Sequence, residues 1–355
     1  MARALSNPPF DATKLDQAWA WTLPFLAALA YPHLLAYFFA HFHGPTPDAA
    51  RAVLAMVLAF GVSAVGTVIA WRLRNARYPG VRSVTARRFA FLTVAAPPMF
   101  TFMGVLLYLM KIEGADIAVW TGLWVAAAAL TTMLQLSRRD APALMGGELL
   151  TDGQIGPGLG KLRFMHGVTA AALLVIFLAP HLINHLSAWL GTPTHVWMML
   201  MLRKVYRNAW VEPAMLVVMA FQLLSGIALW LPKTRRATNL FDVIQLASGV
   251  YLLFFIASHV NSVFVLARHF GTDTNWEWAV AAPAGLAADA WNVRLIPHYA
   301  IGVFMLLAHL ACGLRVVLLG HSTGVERSNK LTWIALAGAL VTAVAISAAM
   351  LGARL

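Results

Sequence analysis

Nine long, almost uninterrupted apolar stretches run through the chain, over 17–41, 49–71, 89–110, 117–136, 164–190, 209–231, 240–268, 294–319 and 331–352. A hydrocarbon core about 30 Å thick is crossed by about 20 helical residues, so each stretch can serve as a membrane span. Composition agrees: 60% of the 355 residues are apolar and 11% are charged, whereas a water-soluble domain carries about 25% charge. Barrel strands would be about ten residues long and alternate in polarity, which these runs do not. The expected fold class is all-α and integral to the membrane, with about nine transmembrane helices. They would form two four-helix bundles, read as a degenerate repeat, plus a C-terminal helix.

The net charge of +12 does not mark a nucleic-acid binder, because the basic residues fall in short clusters between the apolar runs, where membrane proteins carry orientation signals. Arg72, Arg74, Arg77, Arg82, Arg87 and Arg88 form one cluster; Arg138, Arg139, Lys161 and Arg163, then Lys233, Arg235 and Arg236, then Arg327 and Lys330 form others. These connections are expected to face the cytoplasm, which puts the N-terminus inside, as in a bacterial inner membrane. Arg203, Lys204 and Arg207 fall on the opposite side and have no charge-based explanation. Residues 1–16 lack a signal-peptide core and read as a cytoplasmic N-terminus. Residues 17–136 read as a four-helix scaffold half and 137–162 as a Gly-rich linker. A four-helix bundle over 163–320 and the ninth helix over 331–352 follow. The single cysteine, Cys312, excludes a disulfide framework, a Cys-ligated zinc site and an iron–sulfur cluster held by this chain alone.

An ionisable residue at membrane depth marks a functional site by default, and the chain has twelve histidines. His181 lies 17 residues into a span that starts at 164, and His259 lies 19 residues into one that starts at 240. With about 1.5 Å rise per residue, the two imidazoles reach the same level, toward the outer face. Two imidazoles at one level on two helices suit a bis-histidine haem, with the macrocycle edge inserted between helices. Small residues at Ser225-Gly226, Ser248-Gly249, Gly302 and Cys312-Gly313 would admit it, although such residues also serve plain helix packing. His185 follows His181 by one turn as a substitute ligand or a partner of haem propionates, and His298 could fill a similar supporting role.

Residues 163–320 resemble the dihaem cytochrome b membrane-anchor subunit of succinate:quinone oxidoreductases and fumarate reductases. The resemblance rests on His166-Gly-Val, on Ala179-Pro180-His181 with Asn184-His185, on Val211-Glu212-Pro213 and Gly226, on Gln245 to His259, and on Gly302 to His309 with Gly313 and Arg315. It implies that His181 and His259 ligate an outer haem b and that His309 ligates an inner one. The partner position of His309 falls on Gln222, a poor iron ligand, so one haem is expected and the second stays open. A quinone and a soluble flavin/iron–sulfur subunit on the cytoplasmic face are implied partners, besides membrane lipid. The first half echoes the motif at Tyr31-Pro32-His33 but keeps only that histidine.

The chain is thus expected to be a b-type cytochrome carrying electrons between a quinone and a partner redox protein, a subunit of an oxidoreductase rather than a complete enzyme. The competing expectation is a transporter or membrane sensor that uses intramembrane histidines without haem. Arg163, Arg207, Arg268 and Arg294, at span ends, are expected to meet lipid phosphates or haem propionates. The ninth span reads as packing alone.

Overall fold

The computed structural model describes residues 12–75, 81–137, 157–236 and 239–355, and among these it is helical throughout its spans with no strand. The helices are α1 (Ala12–His43), α2 (Ala49–Arg72), α3 (Val81–Val94), α4 (Ala96–Leu109), α5 (Asp116–Ser137), α6 (Pro157–Leu173) and α7 (Ala179–Ser187). They continue with α8 (Thr192–Tyr206), α9 (Val211–Lys233), α10 (Leu240–Asn261), α11 (Trp276–Ala279), α12 (Leu295–Gly320) and α13 (Val325–Met350). Among the described residues eight helical segments are long and apolar enough to cross a membrane, and α3 with α4 makes a ninth if the bent pair is one span. The protein is an all-α integral membrane protein whose outward-facing side chains meet lipid.

One expected span is not a straight helix. Over 89–110 the chain bends by 68° between α3 and α4, because Pro97 and Pro98 open α4 and cannot donate to the preceding turn. A break at membrane depth must satisfy its own carbonyls. Ser63 Oγ donates to Val94 O at 2.7 Å, and Thr93 Oγ1 reaches Phe89 O at 3.0 Å while tying α3 to Pro24 O of α1 at 3.0 Å. Gly66 on α2 lets the bend approach, since a Cβ there would lie 2.6 Å from Ala90 O.

The two halves are not separate bundles. One buried core joins Ile69, Ala90, Phe91 and Val94 to Val243, Ala247, Tyr251 and Ile301, so α10 and α12 sit between the first half and the α6–α9 hairpin. At one end Arg87 Nη1 donates to Arg236 O at 2.6 Å and Arg88 Nε to Thr234 Oγ1 at 3.0 Å. These two arginines therefore clamp the end of α9 instead of lying free in a loop. Of the expected linker, 138–156 lies outside the described residues, and α6 already begins at Pro157. Arg77, Arg138 and Arg139 fall outside the description too.

The opposite end carries a cap of α8, α11 and the loop between α10 and α12. Here the unexplained basic residues find acids: Arg203 pairs with Asp273 at 2.9 Å, and Arg207 shares that carboxylate at 3.9 Å. Arg268 grips Glu212 with two contacts of 2.6 and 3.2 Å, and Arg294 meets Asp116 at 2.6 Å. Three of the four span-end arginines expected to meet phosphate or propionate are thus held by carboxylates of the protein, whereas Arg163 is exposed and meets no carboxylate among the described residues. The ninth helix, α13, does more than pack: Trp189 Nε1 donates to Ala345 O at 2.9 Å and Leu355 N to Trp189 O at 2.9 Å, which seals the cap end.

Candidate functional site: two facing pairs of histidines

Two pairs of imidazoles meet between the helices of the second half. The outer pair is His181 on α7 and His259 on α10, with ring centres 6.3 Å apart and planes at 66°. The inner pair is His166 on α6 and His309 on α12, 6.5 Å apart and at 75°. A ring centre lies about 1.2 Å from its nitrogen and a metal–imidazole bond is about 2 Å, so two imidazoles on opposite sides of one metal stand about 6.3 Å apart. Both pairs match that separation.

The inner pair is set by two serine–glycine steps, one on α9 and one on α10. Ser225 Oγ sits 2.7 Å from His166 Nδ1, and Ser248 Oγ sits 3.1 Å from His309 Nδ1. Each serine spends its own proton on the helix behind it: Ser225 donates to Phe221 O at 2.5 Å, and Ser248 to Ile244 O at 2.7 Å. With its proton so directed, each hydroxyl oxygen is an acceptor for a protonated Nδ1. The carbonyl of Gln245, 3.2 Å from His309 Nδ1, requires the same tautomer. Both Nε2 atoms keep a lone pair for a ligand, the usual arrangement of a metal-binding imidazole. The neighbouring glycines keep the rings free of side chains: a Cβ on Gly226 would lie 3.8 Å from His166 Cε1, and one on Gly249 3.3 Å from His309 Cε1.

Gln222 does not face His309. Its Nε2 donates to His166 O at 3.0 Å and Thr169 Oγ1 at 2.6 Å, so it fastens α9 to α6 and fixes the helix that presents His166. The His166-Gly-Val motif does not disclose this pairing; its signal in the sequence is the repeated Ser-Gly step, whose hydroxyls support the two rings.

The outer pair is built differently. Pro180 removes one donor from the helix, and the turn before it, Leu174–Leu178, is a π segment. A second π segment, Ser262–Ala267, begins three residues after His259. Such bulges re-aim side chains and recur at functional sites. Tyr206 of α8 donates to Phe177 O at 3.2 Å and so anchors the cap to the first bulge. His185 Nε2 lies 3.2 Å from His181 Nε2; the two rings bond each other through the nitrogen that a metal would use. His259 makes no hydrogen bond to the described residues and packs against Phe255 and Tyr299 at 6.1 and 6.3 Å.

His298 is buried beside Phe255 and Tyr299, at 4.8 and 5.0 Å, and supports that wall without joining the pair. Gly302 does not border an open slot, because the Phe255 ring lies directly against the place that a Cβ would take. Cys312 is buried in a small apolar cluster with Phe241 and Leu336. His33 in the first half is exposed and faces neither pair.

α9 closes directly on α10, with Trp230 Nε1 donating to Leu246 O at 3.2 Å, whereas α6 packs along α9 and has at most glancing contact with α10 or α12. Among the described residues no three His, Cys, Asp or Glu side chains are grouped to hold a metal ion. Each facing pair of imidazoles can supply two ligands to one metal centre and no more. Comparison with protein-family models, curated proteins and solved structures finds no match for this chain.

Proposed function

We propose that the protein is a membrane b-type cytochrome that binds two haems, one between His166 and His309 and one between His181 and His259, and passes electrons through them. The observation that carries this reading is the ring separation of 6.3 and 6.5 Å in two independent pairs, each at the spacing that two imidazoles on one iron require. Bound haem would supply one-electron chemistry, and with both axial positions filled it would carry electrons without activating oxygen. The chain's own part is to hold the imidazoles in the right tautomer, keep the gap narrow and exclude water. About 16 Å of α10, from Ser248 to His259 at 1.5 Å per residue, separates the two levels, so the pairs would form a relay across the bilayer.

A quinone on one side and a soluble flavin/iron–sulfur partner on the other are part of the same proposal, as is the orientation. The basic connections between α2 and α3 and between α9 and α10 would face the cytoplasm of a bacterial inner membrane, with the α8 cap outside. The resemblance of 163–320 to dihaem cytochrome b anchors supports the reading; their succinate and fumarate chemistry belongs to a separate subunit and is not carried over. A dithionite-reduced minus oxidised spectrum of the detergent-purified protein tests it. Sharp b-type bands with two haems per chain are expected. A colourless protein would overturn the reading and favour a transporter or sensor that uses these histidines for protons or substrate.

A further inference from the structure

Under the cap, on the outer side of His181, lies a polar group with open hydrogen-bonding capacity. Asn184 and His195 are buried to 5% and 3% exposure, and Asn184 Nδ2 lies 3.3 Å from His195 Nε2. Asn184 Oδ1, His195 Nδ1 and the Nδ1 of neighbouring His185 are buried with no hydrogen-bond partner among the described residues. Trp276 closes the group, 4.4 Å from the His195 ring and 6.0 Å from the His185 ring, with the Arg354 guanidinium 5.8 Å above the indole.

Such orphans are costly, and their chemistry defines the partner that would satisfy them. If the amide NH₂ of Asn184 donates to His195 Nε2, then His195 holds its proton on Nδ1, leaving that N–H and the amide oxygen open. If the amide is turned, its NH₂ and the Nδ1 lone pair are open. In either orientation one donor and one acceptor lack a partner. The complement is a group that both accepts and donates, either a carboxyl group that shares a proton or a water molecule. Two observations favour the carboxyl group: the Arg354 guanidinium stands behind Trp276, which lies against the His195 ring, and the cluster begins at Asn184, only about 4.5 Å along the axis beyond His181.

We propose that Asn184 and His195, with Arg354 behind Trp276, receive a carboxyl group at the edge of the macrocycle held by His181 and His259. The α8 cap is then the part of the chain that selects which way round the outer haem enters. This inference rests on the cytochrome reading and assigns the cap a role that the ligand histidines do not need.

The test uses apoprotein from haem-deficient cells with His309→Ala, so that only the outer position titrates, and compares haem with its dimethyl ester, in which both carboxyls are blocked. Haem is expected to bind at least tenfold more tightly than the diester. Asn184→Ala with His195→Phe should remove that preference by weakening haem while leaving diester binding unchanged, with a bis-histidine spectrum in every case. Equal affinity for haem and diester, or a preference that survives in the variant, would overturn the proposal and leave an ordered water as the partner. Failure to bind either compound, with the protein folded, would overturn the cytochrome reading itself.

Discussion

The inner and outer histidine pairs have nearly the same ring separation but opposite surroundings. Around His166 and His309 each Nδ1 proton is accounted for, by Ser225 or by Ser248 and Gln245 O, and each Nε2 is left open. At the outer pair His181 Nε2 bonds His185 Nε2, His259 makes no hydrogen bond to the described residues, and the nearby Asn184, His185, His195, Ser258, Asn261 and His298 keep polar atoms without partners among the described residues. Two regular helices, α9 and α10, hold the inner pair rigidly from behind. The outer pair hangs from two π segments and a cap. A site completed by its own scaffold should tolerate loss of its ligand better than one that relies on the ligand for its hydrogen bonds.

The largest expected effect is on haem count. His166→Ala or His309→Ala should each remove one haem of two and leave the other, measured by pyridine haemochrome stoichiometry on folded protein. Retention of both in either variant would break the inner pairing. At the outer pair, His259→Ala should also remove one haem, whereas His181→Ala is expected to lose it only in part, because His185 Nε2 is 3.2 Å away and can take over. The double variant His181→Ala with His185→Ala should lose it fully. Equal losses in the single and double variants would show that His185 is no substitute.

A smaller effect is expected from Ser225→Ala and Ser248→Ala. Removing such a supporting hydrogen bond typically weakens metal-site affinity by about 10–100-fold, so inner haem should dissociate faster on dilution while the outer haem is unaffected. Gln222→Ala is the matched control, since it removes hydrogen bonds worth about 1 kcal/mol each from the α6–α9 seam and no ligand. It should keep both haems.

The smallest effect is one of pH. Burial first, and then the guanidinium groups of Arg203 and Arg354, pushes the His195 imidazole down from its ordinary 6.5 to about 4. Because the folded-state value is the lower one, the unfolded chain takes up the proton first as pH falls. The contribution of His195 to stability is complete above about 6.5 and is lost as pH drops toward 4. Thermal melts of the haem-free protein should fall more steeply over that window in the wild type than in His195→Phe, by about 2–4 °C for each kcal/mol involved. Parallel curves would remove His195 from the pH response.

The spans were legible because hydropathy over about 20 residues is a strong signal, and helical rise alone brought His181 and His259 to one level. Face and rotation were not legible. Whether Gln222 or His166 turns toward His309 depends on how α6 and α9 pack, and a count along one helix carries no such information. The break at Pro97-Pro98 had a local signal in the adjacent prolines. The shared core between the halves had none, because Val243 and Ile301 look the same whether they face lipid or α3. Likewise, Arg87 and Arg88 have the composition of an orientation signal but the position of a clamp on α9. The carboxylate partners of Arg203 and Arg268 come from other elements, which is why charge counting along the chain could not find them.

Ferric haems held by two imidazoles whose planes cross keep two metal orbitals nearly degenerate, so their low-spin resonances are strongly anisotropic. With planes at 66° and 75°, low-temperature EPR of the oxidised protein should give two such signals integrating to two spins per chain, one of them absent in His309→Ala. A silent sample, or a dominant high-spin signal unaffected by that substitution, would contradict the two clasped irons.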